Sequence, residues 1–291
     1  MCRWIAYTGS PVLIEDLLYA PENSLIAQSL HARLGVEPTN GDGFGVGWYD
    51  GRDAPGQFRS TEPAWNDRNL HELAGHVRSS LVFAHVRAST GTPVQQTNCH
   101  PFRHGRWLWM HNGALAGFRA VKRDLAMAVA PDLYPDIEGS TDSELLFHLA
   151  LTHGLEDDPP AAIASAVGLA EEIGRRHGEP FPVQMTVATT DGETLWAFRY
   201  SSEGRSRSLF RSADVLTLRA QYPSSAVLGR LSDNARMVVS EPLGSLRGAW
   251  QEVPEATCVV VRHGVEELRP FEPTVPKLRG LATAGRRSGP P

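Results

Sequence analysis

Cysteine at position 2, directly behind the initiator methionine, is the residue best placed to do chemistry in this chain. A small second residue permits removal of Met1, which would put a thiol and a free α-amine on one residue. The amine titrates near pH ~8 and the thiol near ~8.5, so a nucleophile and a base for its proton would sit together. Four polar clusters follow in order: Asn40-Gly41-Asp42-Gly43, Ala84-His85-Val86-Arg87-Ala88-Ser89-Thr90, His111-Asn112-Gly113 and Ser140-Thr141-Asp142-Ser143-Glu144. Asn98-Cys99-His100-Pro101-Phe102 stands between the second and the third. Singly, each has a bland reading: Asn-Gly as a turn, Thr-x-x-Glu as a helix cap, Arg at a strand end as a solvated charge. Their order behind an N-terminal Cys is what points to a site.

The elements that must position these residues are legible in outline. Arg3 to Tyr7 reads as a short strand ending at Gly9-Ser10-Pro11, so Cys2 begins an element held in a sheet. Asn40 to Asp50 is glycine-punctuated, and its second half reads as a strand whose glycines let another backbone come close. Leu70, Leu73, Ala74 and Val77 follow a cap at Asp67 at helical spacing. Leu81 to Val86 is a buried strand with Arg87 at its exit, and Trp107 to Met110 another, ending in His111-Asn112-Gly113. Thr141 to Glu144 has the capping-box pattern, with Asp142 in the first turn of the helix it opens. A second helix fits Ala161 to Arg176. Val183–Thr189 and Thr194–Tyr200 flank Asp191-Gly192 as a hairpin, and Thr257–Arg262 and Val265–Leu268 pair around His263-Gly264. Strand pairs at both ends with helices between predict a layered α+β domain rich in antiparallel sheet.

Size and composition set bounds. The chain has 291 residues with 41% hydrophobic and 21% charged side chains, enough for a sizeable core. A net charge of −5 gives no reason to expect nucleic acid or an anionic membrane as partner. Cys2, Cys99 and Cys258 are an odd, dispersed set, which argues against a disulfide framework and suits a reducing cytoplasm. Glu15, Asp16, Pro21 and Glu22 interrupt any signal-peptide core, and no segment approaches the ~18 apolar residues of a membrane span. We expect one domain over residues 1–273 and a flexible, basic, Pro/Gly-rich tail over 274–291.

On the clusters quoted above, with Pro63-Ala64-Trp65-Asn66 and Ser240-Glu241-Pro242-Leu243 added, the sequence resembles the class II glutamine amidotransferases, which are N-terminal nucleophile hydrolases. It is similar above all to their stand-alone branch, which includes a fungal glutathione-degrading amidotransferase-like subunit and, more distantly, the ergothioneine-pathway γ-glutamyl hydrolases. The resemblance implies a four-layer αββα sandwich with two mainly antiparallel sheets, and no cofactor. It implies Cys2 as the nucleophile forming a thioester with a γ-glutamyl group, and the Asn112 side chain and Gly113 N–H as oxyanion donors. Arg87, assisted by Thr90, matches the α-carboxylate anchor, and Asp142 the ammonium ligand. Asn40, Asp42, Gly43, His100, His111 and Glu144 would support the site, the two histidines and Glu144 by hydrogen bonding. Family members of the purine type carry an Arg-Gly pair where this chain has Asn40-Gly41, so Asn40 or Asp42 would hold the nucleophilic end differently. A Trp beside the anchor Arg is Ala88 here, which implies a roomier pocket.

Two ambiguities are decided on the residues. Gly75-His76-Val77-Arg78 echoes the cluster that ends in Arg87, but Arg78 reads as a helix end whereas Arg87 leaves a buried strand. The histidines near Cys99 have no zinc spacing, so no metal is expected. The partners implied are a small γ-glutamyl substrate and a peptidase or synthase subunit. Three functions compete: a γ-glutamyl amidohydrolase, a glutaminase subunit passing ammonia to a separate synthase, and a binding protein that kept the fold.

Overall fold

The computed structural model describes residues 2–34, 39–89 and 91–276. The strands are β1 (Arg3–Leu13), β2 (Phe44–Trp48), β3 (Gly56–Ser60), β4 (Arg78–Val86), β5 (Phe102–His104), β6 (Trp107–Leu115) and β7 (Val183–Thr190), followed by β8 (Thr194–Ser201), β9 (Phe210–Ser212), β10 (Arg236–Val239), β11 (Trp250–Glu252), β12 (Thr257–Arg262) and β13 (Val265–Pro270). The α-helices are α1 (Ile14–Leu18), α2 (Leu25–Leu30), α3 (Arg68–His76), α4 (Phe118–Ala128), α5 (Asp142–Thr152), α6 (Pro159–Arg176), α7 (Val215–Gln221) and α8 (Ala226–Arg230). One sheet has seven strands in the order β11-β9-β10-β1-β4-β2-β3, the other six in the order β13-β12-β8-β7-β6-β5. Every strand pairing described is antiparallel.

Period-two alternation explains the layers. In β1, Trp4 and Ala6 join Leu81 and Phe83 of β4 and Leu108 and Met110 of β6 in the core between the sheets. The alternate residues Ile5, Tyr7, Val82 and Ala84 pack outward with α1, α3 and α7. Trp107 and Trp109 turn the other way, onto α5 and α6, where Trp109 stacks on Phe147 at 5.4 Å. The result is helix, sheet, sheet, helix. No helix among the described residues is long and apolar enough to cross a membrane.

Several expectations need correction. β1 does not stop at Gly9-Ser10-Pro11; its ladder to β4 shifts register between Thr8 and Val12, and the strand resumes to Leu13. Tyr7 Oη donates to the Ser10 carbonyl at 2.7 Å, which ties the bulge down. β6 likewise runs through Asn112-Gly113 to Leu115, because β7 pairs with it along the whole stretch. Arg78 begins β4 rather than ending a helix, and lies exposed at the far end of the strand from Arg87. The tail expected from Thr274 falls, from residue 277 on, outside the described residues, and Thr274 N–H donates to the Ala164 carbonyl on α6 at 3.0 Å. At the second hairpin His263 and Gly264 both take positive φ, 51° and 79°, as a tight turn of this twist demands.

Pairing places the site. Arg3 lies opposite Val86, and Phe44 opposite Val86 on the other side, so the start of β1, the exit of β4 and the entry to β2 meet at one end of the first sheet. Asn112 has the parity of Leu108 and Met110, which turns it toward that sheet, while His111 has the opposite parity and turns toward α5.

Candidate active site

Cys2, Arg87, His100, His111, Asn112, Gly113 and Asp142 line one cavity of about 340 Å³, whose wall also includes Ser89, Thr92, Phe118, Arg119 and Arg207. Cys2 is half-buried, and its Sγ approaches the Ala88 carbonyl at 3.7 Å. Burial pushes its thiol above the usual cysteine range, against the lowering pull of the Ala88 contact and of the Arg87 and Arg3 charges. A thiol so placed is protonated at neutral pH and needs a base at the moment of attack.

The backbone of Cys2 is held by Arg3 and Glu241, neither of which was among the expected site residues. Arg3 Nη1 donates to the Cys2 carbonyl at 2.9 Å, and Arg3 Nε donates to Glu241 Oε2 at 3.0 Å. Glu241 Oε1 accepts from Asn23 Nδ2 and from Arg33 N–H, and its Oε2 also accepts from Leu34 N–H. Asn40, expected near the nucleophilic end, bonds α2 instead: its N–H donates to Ser29 O at 2.7 Å and its Nδ2 to Gln28 O at 3.5 Å. Asp42 ties down the segment after Arg87, its Oδ2 accepting from Ser89 N–H at 2.7 Å. Gly43 has φ +103°, and a Cβ there would stand 2.7 Å from Cys99 Sγ, so glycine is required on both counts.

Arg87 is buried, yet its guanidinium bonds only neutral oxygens among the described residues. Nη1 donates to the carbonyls of Asp42 and Pro93, and Nη2 to Ser89 Oγ at 3.0 Å and Thr92 Oγ1 at 2.7 Å. Its charge is thereby aimed and left uncancelled, as an anchor for a carboxylate requires. Thr90, expected to assist it, lies outside the described residues; Ser89 and Thr92 bond Arg87 directly, and the hydroxyl-rich run Ser89-Thr90-Gly91-Thr92 was the signal available for them. Asp142 opens α5, its Oδ2 accepting from Leu115 N–H and its Oδ1 from Ser143 N–H, both at 2.8 Å. Ser143 Oγ lies 2.8 Å from His111 Nδ1, joining β6 to the helix start. Burial holds His111 below the usual histidine range, against the opposing pull of Asp142 and of the Gln184 carbonyl.

Thr141 caps α5 by accepting from Glu144 N–H at 3.2 Å, but the return bond of a capping box is absent. Glu144 instead accepts from the N–H groups of Glu138 and Gly139 at 2.9 and 2.8 Å, pinning the loop before the helix. Burial raises its carboxyl pKa, and those two bonds oppose the shift. His100 makes no such bond: both its ring nitrogens are buried without a partner among the described residues, and its ring stacks on His85 at 4.2 Å. Among the described residues no three His, Cys, Asp or Glu side chains converge as a metal site would require. Cys99 and Cys258 are buried free thiols.

That stacked pair predicts acid sensitivity. Burial holds His85 down to about 3 and His100 well below its ordinary value. An unfolded histidine takes up its proton near pH ~6.5, so below that the unfolded chain binds more protons than the native one, and stability falls with pH by up to about 1.4 kcal/mol per unit per histidine. Urea unfolding between about pH 6.5 and 5 is expected to show this slope, and to show less of it in His85→Phe. Identical slopes in the two proteins would contradict the assignment.

Gly113 is constrained more tightly than its place at the cavity suggests. A Cβ there would lie 2.0 Å from the Gln184 carbonyl on β7 and 2.5 Å from His111 Nε2. Gly113→Ala must therefore push β6 away from β7 and carry Asn112 with it. The expected result is a loss of about 1–3 kcal/mol in stability with a fall in kcat of roughly 10²–10³-fold, the scale of a lost oxyanion donor. Wild-type kcat in the variant would contradict it.

The comparisons agree with this geometry. The family profile described as "Glutamine amidotransferases class-II" matches residues 21–279. A probable glutamine amidotransferase of Saccharomyces cerevisiae, DUG3, is 35% identical, over 93% of this chain and 84% of its own length. The gamma-glutamyl-hercynylcysteine sulfoxide hydrolase of Mycobacterium tuberculosis is 30% identical, over 83% of this chain and 94% of its own. A solved glutamine aminotransferase class-II domain protein from Silicibacter pomeroyi superposes with a TM-score of 0.71 at 36% identity, covering 94% of this chain and all of that one. With two antiparallel sheets between helical layers and a family match over most of its length, the chain belongs to the class II glutamine amidotransferases, N-terminal nucleophile hydrolases that cleave γ-glutamyl amides.

Proposed function

We propose that this protein hydrolyses the γ-glutamyl amide bond of small peptides or conjugates through a Cys2 thioester. One observation carries the reading: a single cavity gathers a thiol at the chain's second residue, an uncancelled guanidinium, a fixed carboxylate and an unengaged Asn side chain beside Gly113. The glutamyl head carries one negative and one positive charge; Arg87 takes its α-carboxylate through paired hydrogen bonds and Asp142 its α-ammonium. That seats the side-chain carbonyl over Cys2.

With Met1 removed, the Cys2 α-amine accepts the thiol proton as sulfur bonds to the carbonyl carbon. The oxyanion accepts hydrogen bonds from Asn112 Nδ2 and Gly113 N–H, pre-aimed donors that need no reorganisation during reaction. The ammonium returns its proton to the leaving nitrogen as the C–N bond breaks, and water then hydrolyses the thioester. Arg3 and Glu241 act by fixing the residue that performs these transfers.

Both similar proteins named above for their sequences carry glutamine or γ-glutamyl chemistry in their names. The test is turnover by purified, processed protein of γ-glutamyl dipeptides against glutamine, with no second protein added. Ready dipeptide hydrolysis is expected. Activity confined to glutamine and raised by an added synthase would favour an ammonia-delivering subunit instead.

A further inference from the structure

The two charges that would hold the glutamyl head come from different halves of the fold. Arg87 follows β4 in the seven-stranded sheet, whereas Asp142 opens α5, which packs on the six-stranded one. Among the described residues the strands of the two sheets do not pair with one another, so no ladder sets the distance from guanidinium to carboxylate. A head with an ammonium and a carboxylate on one carbon needs that distance held to about 0.5 Å.

Asn98 bridges the two segments. It ends a short 3-10 turn (Gln96–Asn98) and is fully buried. Its Nδ2 donates to the Pro93 carbonyl at 2.9 Å, and the same carbonyl accepts from Arg87 Nη1 at 3.2 Å. Its Oδ1 accepts from Ser140 N–H at 2.8 Å, two residues before Asp142. Gln95 Nε2 also donates to that oxygen at 3.3 Å, and Nδ2 also donates to Ser140 Oγ at 3.2 Å. One buried amide therefore touches the carbonyl that steers Arg87 and the backbone that leads into Asp142. The bridge has no slack. A Cβ at Gly139 would stand 2.6 Å from Asn98 Oδ1 and 2.8 Å from the Thr97 carbonyl, so the chain before α5 lies flush against the turn. Glu144 holds the same Gly139 through its N–H.

We propose that Asn98 is the positioning residue that sets the separation between Arg87 and Asp142, and through it the preference for a substrate head carrying both charges on one carbon. An amide suits the task because one short planar group offers a donor at one end and an acceptor at the other. Aspartate at this position would keep the acceptor for Ser140 N–H and lose the donor to Pro93. The inference rests on the hydrolase reading above and adds to it the residue that fixes recognition of the head.

The experiment compares kcat/KM for three substrates in processed wild type, Asn98→Ala and Asn98→Asp. The substrates are γ-glutamyl-alanine, glutaryl-alanine, which lacks the α-ammonium, and γ-glutamyl-alanine with its glutamyl α-carboxylate converted to the amide. Wild type is expected to favour the complete head over each truncated one by roughly 10- to 100-fold, the scale of a charged hydrogen bond. Both preferences should fall toward unity in Asn98→Ala. Asn98→Asp should lose chiefly the preference for the α-carboxylate, since only the bond toward Arg87 is broken. Partial unfolding lowers turnover of all three substrates in proportion, so the ratios report geometry and not the amount of folded protein. Wild-type ratios in Asn98→Ala overturn the role of Asn98 and leave γ-glutamyl hydrolysis standing. If that variant yields no active protein, wild-type ratios in Asn98→Asp overturn it instead. Equal wild-type turnover of the three substrates overturns the charge-pair reading of the head and this proposal with it. Absence of Cys2-dependent turnover of all three overturns the hydrolase reading itself.

Discussion

Cys2→Ala is expected to lose turnover by on the order of 10⁴-fold or more, the scale seen when a nucleophile is deleted from a catalytic unit, while melting as wild type does. The two halves of that result come from different observations. Cys2 supplies the sulfur that faces the cavity beside Arg87 and Asn112, and burial keeps Cys99 and Cys258 from replacing it. Structurally its side chain contributes little: one long contact to the Ala88 carbonyl, on a half-buried residue. Removing it opens no core cavity, so no mechanism for a large loss of stability is present. A glutamine-like electrophile should label wild type and not the variant. Turnover within tenfold of wild type, or labelling that survives the substitution, would refute Cys2 as nucleophile.

Glu241→Ala should have the largest effect on stability, about 3–5 kcal/mol, because it removes one partner of a buried ion pair. Glu241 is 1% exposed, and its carboxylate accepts from Arg3, Asn23 and the N–H groups of Arg33 and Leu34. Alanine takes away every one of those acceptors within the protein interior. The loss reaches the chemistry as well. Arg3 holds the Cys2 carbonyl, so an arginine released from Glu241 no longer fixes the nucleophile's backbone. Urea unfolding gives the stability change, and kcat measured where the variant is still folded gives the positional one. Glu241→Gln, which keeps acceptor oxygen but not charge, should fall between. A variant that unfolds like wild type would show that the pair contributes nothing.

What was legible in the sequence was local. Compact apolar runs marked the buried strands around Phe83 and Trp109, Asp67 and Thr141 marked helix starts, and Asp191-Gly192 and His263-Gly264 marked turns. The polar clusters were visible because each falls at the end of such an element. What was missed depends on partners distant in sequence. Gly9-Ser10-Pro11 and Asn112-Gly113 look like stops, but a neighbouring strand carries the ladder through them. Glu144 has the spacing of a capping box and bonds a preceding loop instead, since the N–H groups of Glu138 and Gly139 are nearer to hand. Arg3 and Glu241 are separated by 238 positions, and nothing local announces that they meet. The sequence offered Asn40 or Asp42 for holding Cys2, whereas in the structure it is Arg3 that bonds the Cys2 carbonyl.

The central claim is that thiol and free amine share the first residue of the working protein, and the intact mass of the catalytically active species tests it most directly. The account predicts a polypeptide lacking Met1, with an unblocked Cys2 that gains the mass of the electrophile when inhibited. A fully active species that retains Met1, or carries an acetyl group on Cys2, would contradict it.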